Sequence, residues 1–249
     1  MAKQTETSPQ TLSRIGGVLY LLIIVTGLFG EMFVRGKLVV SGDATATASN
    51  ITASQVLWRV GVVGDLIMHV CDIPLMLIFY VLLRPIHKTL ALLGVLFNLV
   101  QTAALVAFKL NLLVALFLLG SADYLRALEP RQLNALMYLF IKADGYGFGI
   151  GLIFFGCACL VFGYLIWKSG YLPRTIGVLM QIAGVCYLTN SFALLLAPSV
   201  ADAMFPAILI PAFIGELSFC LWLLVKGVNM EKWKALADAQ PARSAGATV

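Results

Sequence analysis

Six apolar stretches, at residues 15–34, 56–83, 90–119, 133–167, 176–197 and 204–225, constrain this chain more than any other feature. A helix needs about 20 such residues to cross the hydrocarbon core of a bilayer. In oil, every backbone amide and carbonyl has to be bonded within the protein, and a helix achieves this within one segment. The fold class read from this is all-α: a polytopic transmembrane helix bundle of about six spanning helices. The 133–167 stretch is too long for one straight span, so 131–142 reads as an amphipathic collar outside the membrane. Pro74, Pro206 and Pro211 read as kinks, because proline removes a backbone donor and clashes one turn back.

Composition agrees. Of 249 residues, 61% are hydrophobic and 12% charged, against roughly 45–50% and about 25% in soluble domains. So little charge does not cover a water-facing surface of this size. The net charge of +5 is spread over helix ends rather than gathered in a stripe, which points to anionic headgroups and away from nucleic acid. The five cysteines, Cys71, Cys157, Cys159, Cys186 and Cys220, all fall in apolar segments without CxxC spacing, and read as free packing thiols. Arg14 before an apolar run resembles a signal peptide. The run is longer than the roughly 7–15 residues of a signal core, so it reads as a retained first helix.

Lysine and arginine placement sets orientation. Lys3, Arg14, Arg84, Lys88, Lys168, Arg174, Lys226, Lys232, Lys234 and Arg243 collect on one side. Arg35, Lys37, Arg59, Arg126 and Arg131 collect on the other. The richer side is expected in the cytoplasm with both termini. The organisation is then a cytoplasmic tail at 1–13, a six-helix domain at 14–228 and a second cytoplasmic tail at 229–249, in a bacterial inner (plasma) membrane. Connectors 36–54 and 120–131 face outward. Trp58, Trp167, Trp222 and Trp233 lie at helix ends and read as interfacial anchors.

Charged side chains at the bilayer centre are costly, by roughly 2.5–3.5 kcal/mol on insertion scales. This chain nevertheless places Glu31, Asp65, Asp72, Lys109, Lys142, Asp144 and Glu216 within apolar spans, with His69, Asn98, Gln101, Asn111, Gln181 and Asn190. Asp65, His69 and Asp72 stand four and seven residues apart, which puts all three on one helix face. They fit either a proton relay or cation site, or a buried cluster that orients helices. A pairing of Lys109 with Asp65 or Glu31 competes with snorkelling to headgroups for Lys109, and snorkelling is also open to Lys142. Glu216 follows Pro211 and Gly215, with Gln181 as a possible partner.

The expected ligand- or proton-binding cavity is therefore built from Asp65, His69, Asp72, Glu31, Lys109, Asn111, Asp144 and Glu216. It opens outward, and its acidic excess favours a proton, a cation or an amine. No cofactor and no metal site is expected, since His87, the other histidine, lies at the opposite helix end.

Gly145, Gly147, Gly149 and Gly151 alternate along the fourth stretch and read as close helix packing or a hinge. Gly-Val-Leu recurs at Gly17, Gly94 and Gly177. That fits either three related helical hairpins or simply small residues at helix contacts.

Several motifs together resemble a known family. They are Arg14-Ile15-x-Gly17-x-Leu19-Tyr20, Phe29-Gly30-Glu31, Tyr80-Val81-Leu82-Leu83-Arg84-Pro85, Gly145-Tyr146-Gly147, Phe154-Phe155-Gly156, Ser169-Gly170-Tyr171-Leu172-Pro173-Arg174 and Gly215-Glu216-Leu217-Ser218. The chain resembles, from about 14 to 228, the bacterial multi-pass membrane family called domain of unknown function 4386. The stretch 163–179 and Gly215-Glu216-Leu217 are the most specific parts. The resemblance implies an all-helical bacterial membrane protein and carries over no catalytic residues.

Three function classes remain open on the residues. A carrier or binding protein would take a small cationic or neutral solute, or protons, into the acidic cavity. A structural, accessory or regulatory subunit would use the polar groups for assembly. An intramembrane acid/base enzyme would use His69 with the aspartates on a lipid-like substrate. Expected partners are the lipid bilayer, a small-molecule or cation ligand and a second copy of the chain.

Overall fold

The computed structural model describes residues 7–245, with side chains through residue 239. Lys3, the side chain of Arg243 and the outermost parts of both expected tails lie outside the described residues. Six helices are long and apolar enough to cross a membrane: α1 (Pro9–Leu38), α3 (Gln55–Leu83), α4 (Lys88–Leu118), α5 (Pro130–Ser169), α6 (Arg174–Leu196) and α8 (Ala207–Val225). Among the described residues, three further α-helices are α2 (Ala44–Ala53), α7 (Pro198–Met204) and α9 (Met230–Ala245). No strand occurs among the described residues. The spans carry exposed apolar side chains such as Val25, Val70, Leu77, Val106 and Val185, which suits lipid rather than water as solvent.

Local chemistry sets the boundaries. Ser8 caps α1 by accepting from the Thr11 amide, with Pro9 in the first turn. Glu129 and Gln132 form a reciprocal capping box that starts α5. Gly170, at φ 69°, ends it in the left-handed conformation that glycine adopts without a Cβ clash.

Two expectations gain detail, on 131–142 and on 229–249, and two need correction, on the prolines and on Trp58. The stretch 131–142 is continuous with the rest of its helix: α5 runs unbroken for 40 residues, about 60 Å at 1.5 Å per residue. One face of its first turns is anchored to the bundle, where Met137 joins Val34, Leu38, Ile51, Trp58 and Leu112, while Arg131, Gln132, Leu139 and Lys142 stay exposed. The expected tail 229–249 contains α9, whose Trp233 indole donates to the Leu82 carbonyl at 3.0 Å. Pro74 lies inside α3, but Pro206 precedes α8 and Pro211 sits in the first turn of its α-helical part, where proline is tolerated. Trp58 is no interfacial anchor: it is 1% exposed and donates to the Leu112 carbonyl at 3.0 Å.

Glycines allow the closest helix contacts. A Cβ on Gly163 would stand 2.7 Å from the Gly177 carbonyl, and one on Gly177 would stand 2.7 Å from that of Gly163. Gly156 and Gly184 repeat this contact further along α5 and α6. Gly147 and Gly151 seat Phe108 and Leu105 of α4, while Gly149 seats Leu194 of α6. Gly17 meets the Leu224 backbone and Gly94 meets Phe162. All three Gly-Val-Leu glycines are thus contact points, as the small-residue reading requires.

Two large apolar clusters result, with a small third one at Ala183, Cys186 and Ala212. One surrounds Tyr20, Leu75, Phe79, Phe162, Phe219 and Leu223 in the half of the bundle nearer the termini. The other is the Trp58–Met137 cluster at the opposite end. Along their helices, the buried Asp65, His69, Asp72, Asn98, Thr102, Lys109 and Asp144 lie between these two.

Gly177→Ala should lower the thermal midpoint of the detergent-solubilised protein, with a loss of about 1–3 kcal/mol from overpacking. Gly145→Ala is the control, because nothing lies within 4 Å of a Cβ there, and it should leave the midpoint unchanged.

Candidate functional site

Asp65, His69 and Asp72 occupy one face of α3 and all three are buried. Their partners divide them. Asp65 belongs to an ion network, whereas His69 and Asp72 face a cavity.

The network begins at the far end of α1. Phe29–Arg35 is wound as a π-helix, a local widening that turns Arg35 inward. The Arg35 guanidinium donates to Asp65 Oδ2 at 2.6 Å and to Oδ1 at 3.3 Å. Its Nε donates to Glu31 at 2.8 Å. Lys109 stands where α4 is interrupted between Phe108 and Leu110. Its ammonium lies 3.0 Å from Asp144 Oδ2 and 3.5 Å from Asp65 Oδ2. Glu31 is exposed, so the buried part balances two carboxylates against two cations. Such pairing is what makes buried charge tolerable.

The cavity is about 550 Å³ and draws on all six spans. Its polar wall comprises His69, Asp72, Gln101, Tyr20, Tyr187 and Glu216. Phenylalanines, leucines and methionines form most of the rest. Asp72 Oδ2 accepts from Asn98 at 2.6 Å and from the Thr102 hydroxyl, four residues apart on α4. Glu216 accepts from Tyr20 at 3.1 Å on one oxygen and from Tyr187 on the other. No lysine or arginine is among the described residues lining the cavity. His69 Nε2, Asn98 Oδ1 and Asp144 Oδ1 are buried without a hydrogen-bond partner.

The eight expected site residues therefore separate. His69, Asp72 and Glu216 line the cavity. Asp65, Lys109, Asp144 and Glu31 form the ion network and lie outside the lining. Asn111 is half-buried beyond Lys109 and also lies outside it. Lys109 pairs with Asp65, while Lys142 is exposed with its ammonium 5.7 Å from the Tyr138 ring centroid. Gln181 packs against Gly163 and lies outside the lining, so Glu216 takes Tyr20 and Tyr187 instead.

Sequence reasoning missed Arg35, Thr102, Tyr20 and Tyr187. Arg35 enters the sequence analysis only as an outer-side basic residue, although its spacing of four from Glu31 is a signal for pairing. Thr102 is likewise four residues from Asn98.

The family model for the "Domain of unknown function (DUF4386)" matches residues 15–227. The chain belongs to this family. An uncharacterized protein of Archaeoglobus fulgidus is 26% identical over 173 residues, covering 69% of this chain and 86% of the relative. No solved structure matches. The matched region spans the ion network and the cavity, and its six apolar helices make this family member a multi-pass membrane protein.

Asp65→Leu should destabilise the protein by roughly 3–5 kcal/mol, because it strands buried cationic charge. Arg35→Leu combined with Asp65→Leu should recover most of that loss, since Lys109 keeps Asp144 and Glu31 remains exposed. Thermal unfolding in detergent measures both. A double variant no more stable than Asp65→Leu would mean that stranded charge is not the cause.

Proposed function

We propose that the protein binds a small cationic or neutral solute in this intramembrane cavity and acts as a carrier-type component of a bacterial inner membrane. The observation that supports it is the pair of carboxyl groups, Asp72 and Glu216, in the wall of a cavity with no basic side chain but His69 among its described lining. Each carboxyl group accepts from two donors, the pattern that suits an ionised carboxylate. A buried charge calls for a partner, and a bound cation or donor supplies what the wall lacks. An anionic ligand would meet repulsion there.

The accessory alternative draws on the ion network, which is closed on itself and ties α1, α3, α4 and α5 together. It does not account for a void of this size beside two carboxyl groups. Orientation follows the basic residues: the connectors at 84–88 and 168–174 and helix α9 support a cytoplasmic location for both termini.

The test is saturable binding of tetraphenylphosphonium to the protein in lipid nanodiscs. Glu216→Gln and Asp72→Asn should each weaken binding about tenfold, equivalent to 1.4 kcal/mol, while the thermal midpoint stays close to that of the parent. Binding unaffected by either substitution would remove the cavity from consideration as the site.

A further inference from the structure

Near the termini, α1 and α8 are tightly packed. Ser13 donates to the Leu223 carbonyl at 3.2 Å and Cys220 to the Gly17 carbonyl at 3.4 Å. A Cβ on Gly17 would stand 2.6 Å from the Leu224 amide. Tyr20 closes the series, against Phe219 and Glu216. Beyond that level each helix packs on a different neighbour.

The outer half of α1 lies on α3. A Cβ on Gly27 would meet the Met68 sulfur at 3.1 Å, Val34 fills the space over Gly61, and Arg35 is bonded to Asp65. The outer half of α8 lies on α6, through Ala212 against Ala183 and Cys186, with Ile208 beside them. The two helices therefore diverge, and the cavity occupies the gap, lined from one side by Leu28 and Met32 and from the other by Ile210 and Phe213.

All four of these residues are exposed, Met32 at 62% and Ile210 at 55%. A mouth that opened to water would carry polar groups at its rim. This one is apolar at every named position, the composition of a surface that faces acyl chains.

We infer that the ligand is a lipophilic amine or quaternary ammonium compound, dissolved in the hydrocarbon phase, that enters sideways between α1 and α8. This rests on the cavity reading above and adds the ligand's class and route. The interior fits such a molecule. Asp72 and Glu216 lie deep, beyond the apolar mouth, and accept a cationic head. Phe79, Phe155 and Phe162 line the same space, and aromatic rings attract a cation through their quadrupoles. Leucine and methionine side chains nearer the mouth receive the tail. A strongly hydrated ion does not partition into acyl chains and has no access by this path.

The experiment uses the full chain in nanodiscs and tritiated dodecyltrimethylammonium as probe, followed by scintillation proximity. Dodecanol, dodecanoate and tetramethylammonium serve as competitors. Met32→Trp combined with Ile210→Trp fills the mouth at two exposed positions, and thermal melting checks that folding is kept. The expected result is that the double variant slows association by about tenfold or more. Each competitor should also be weaker than unlabelled probe by about tenfold or more.

An unchanged association rate with equilibrium binding intact overturns the lateral route and leaves the cavity reading standing. Dodecanol competing as well as the amine overturns the ligand class. A parent protein with no saturable binding of either this probe or tetraphenylphosphonium overturns the cavity reading and this inference together.

Discussion

Asp65 is the residue on which the arrangement of the polar interior turns. It is 1% exposed and lies between the two apolar clusters, where an isolated carboxylate would be penalised by several kcal/mol. Arg35 and Lys109 neutralise it from two different helices, and Asp144 then completes the pairing of Lys109 from a third. One buried carboxylate thereby fixes α1, α4 and α5 relative to α3. Removing it would disturb four helices at once. Removing Arg35 with it would leave a smaller closed pair.

Both cations reach their positions through departures from regular α-helix. The π-helical segment of α1 brings Arg35 inward, and the interruption of α4 stands at Lys109 itself. Such irregularities weaken local backbone geometry and persist where tertiary interactions over-determine them. Here that interaction is ionic pairing in a medium of low dielectric, where it is strongest.

Much of this was legible in the sequence. Hydrophobic segment length gave the six spans, because bilayer thickness imposes a threshold that few soluble helices meet. The spacing of Asp65, His69 and Asp72 gave one shared face, because helical periodicity is rigid. The common fate of those three residues was not legible. A sequence shows which residues share a face of one helix, whereas their division between an ion network and a cavity depends on which neighbouring helix lies against each turn. Arg35 was missed for a related reason. Counted along a regular helix it belongs at the headgroups, and no local signal in Phe29–Arg35 announces a π register. The capture of Glu216 by Tyr20 and Tyr187 joins residues 196 and 29 positions away, which periodicity within one helix does not reach. Trp58 shows the converse error: a helix-end tryptophan suits an interface, but α2 and the long start of α5 cover that end.

The ion network and the proposed mouth share a cause. Pairing Arg35 with Asp65 holds the outer half of α1 against α3, and in doing so draws it off α8. Gly27 on Met68 and Val34 on Gly61 permit the same approach by leaving room for it. With α8 held on α6 by Ala212 and Gly215, the space between α1 and α8 has no side chain assigned to fill it. Relaxing the pair would leave Asp65 with Lys109 alone, 3.5 Å away and shared with Asp144. The charges lining no cavity are therefore not idle with respect to it. The polar groups that do line it, His69, Asp72 and Glu216, have no ionic partner in Arg35 or Lys109, because both cations are committed to Glu31, Asp65 and Asp144.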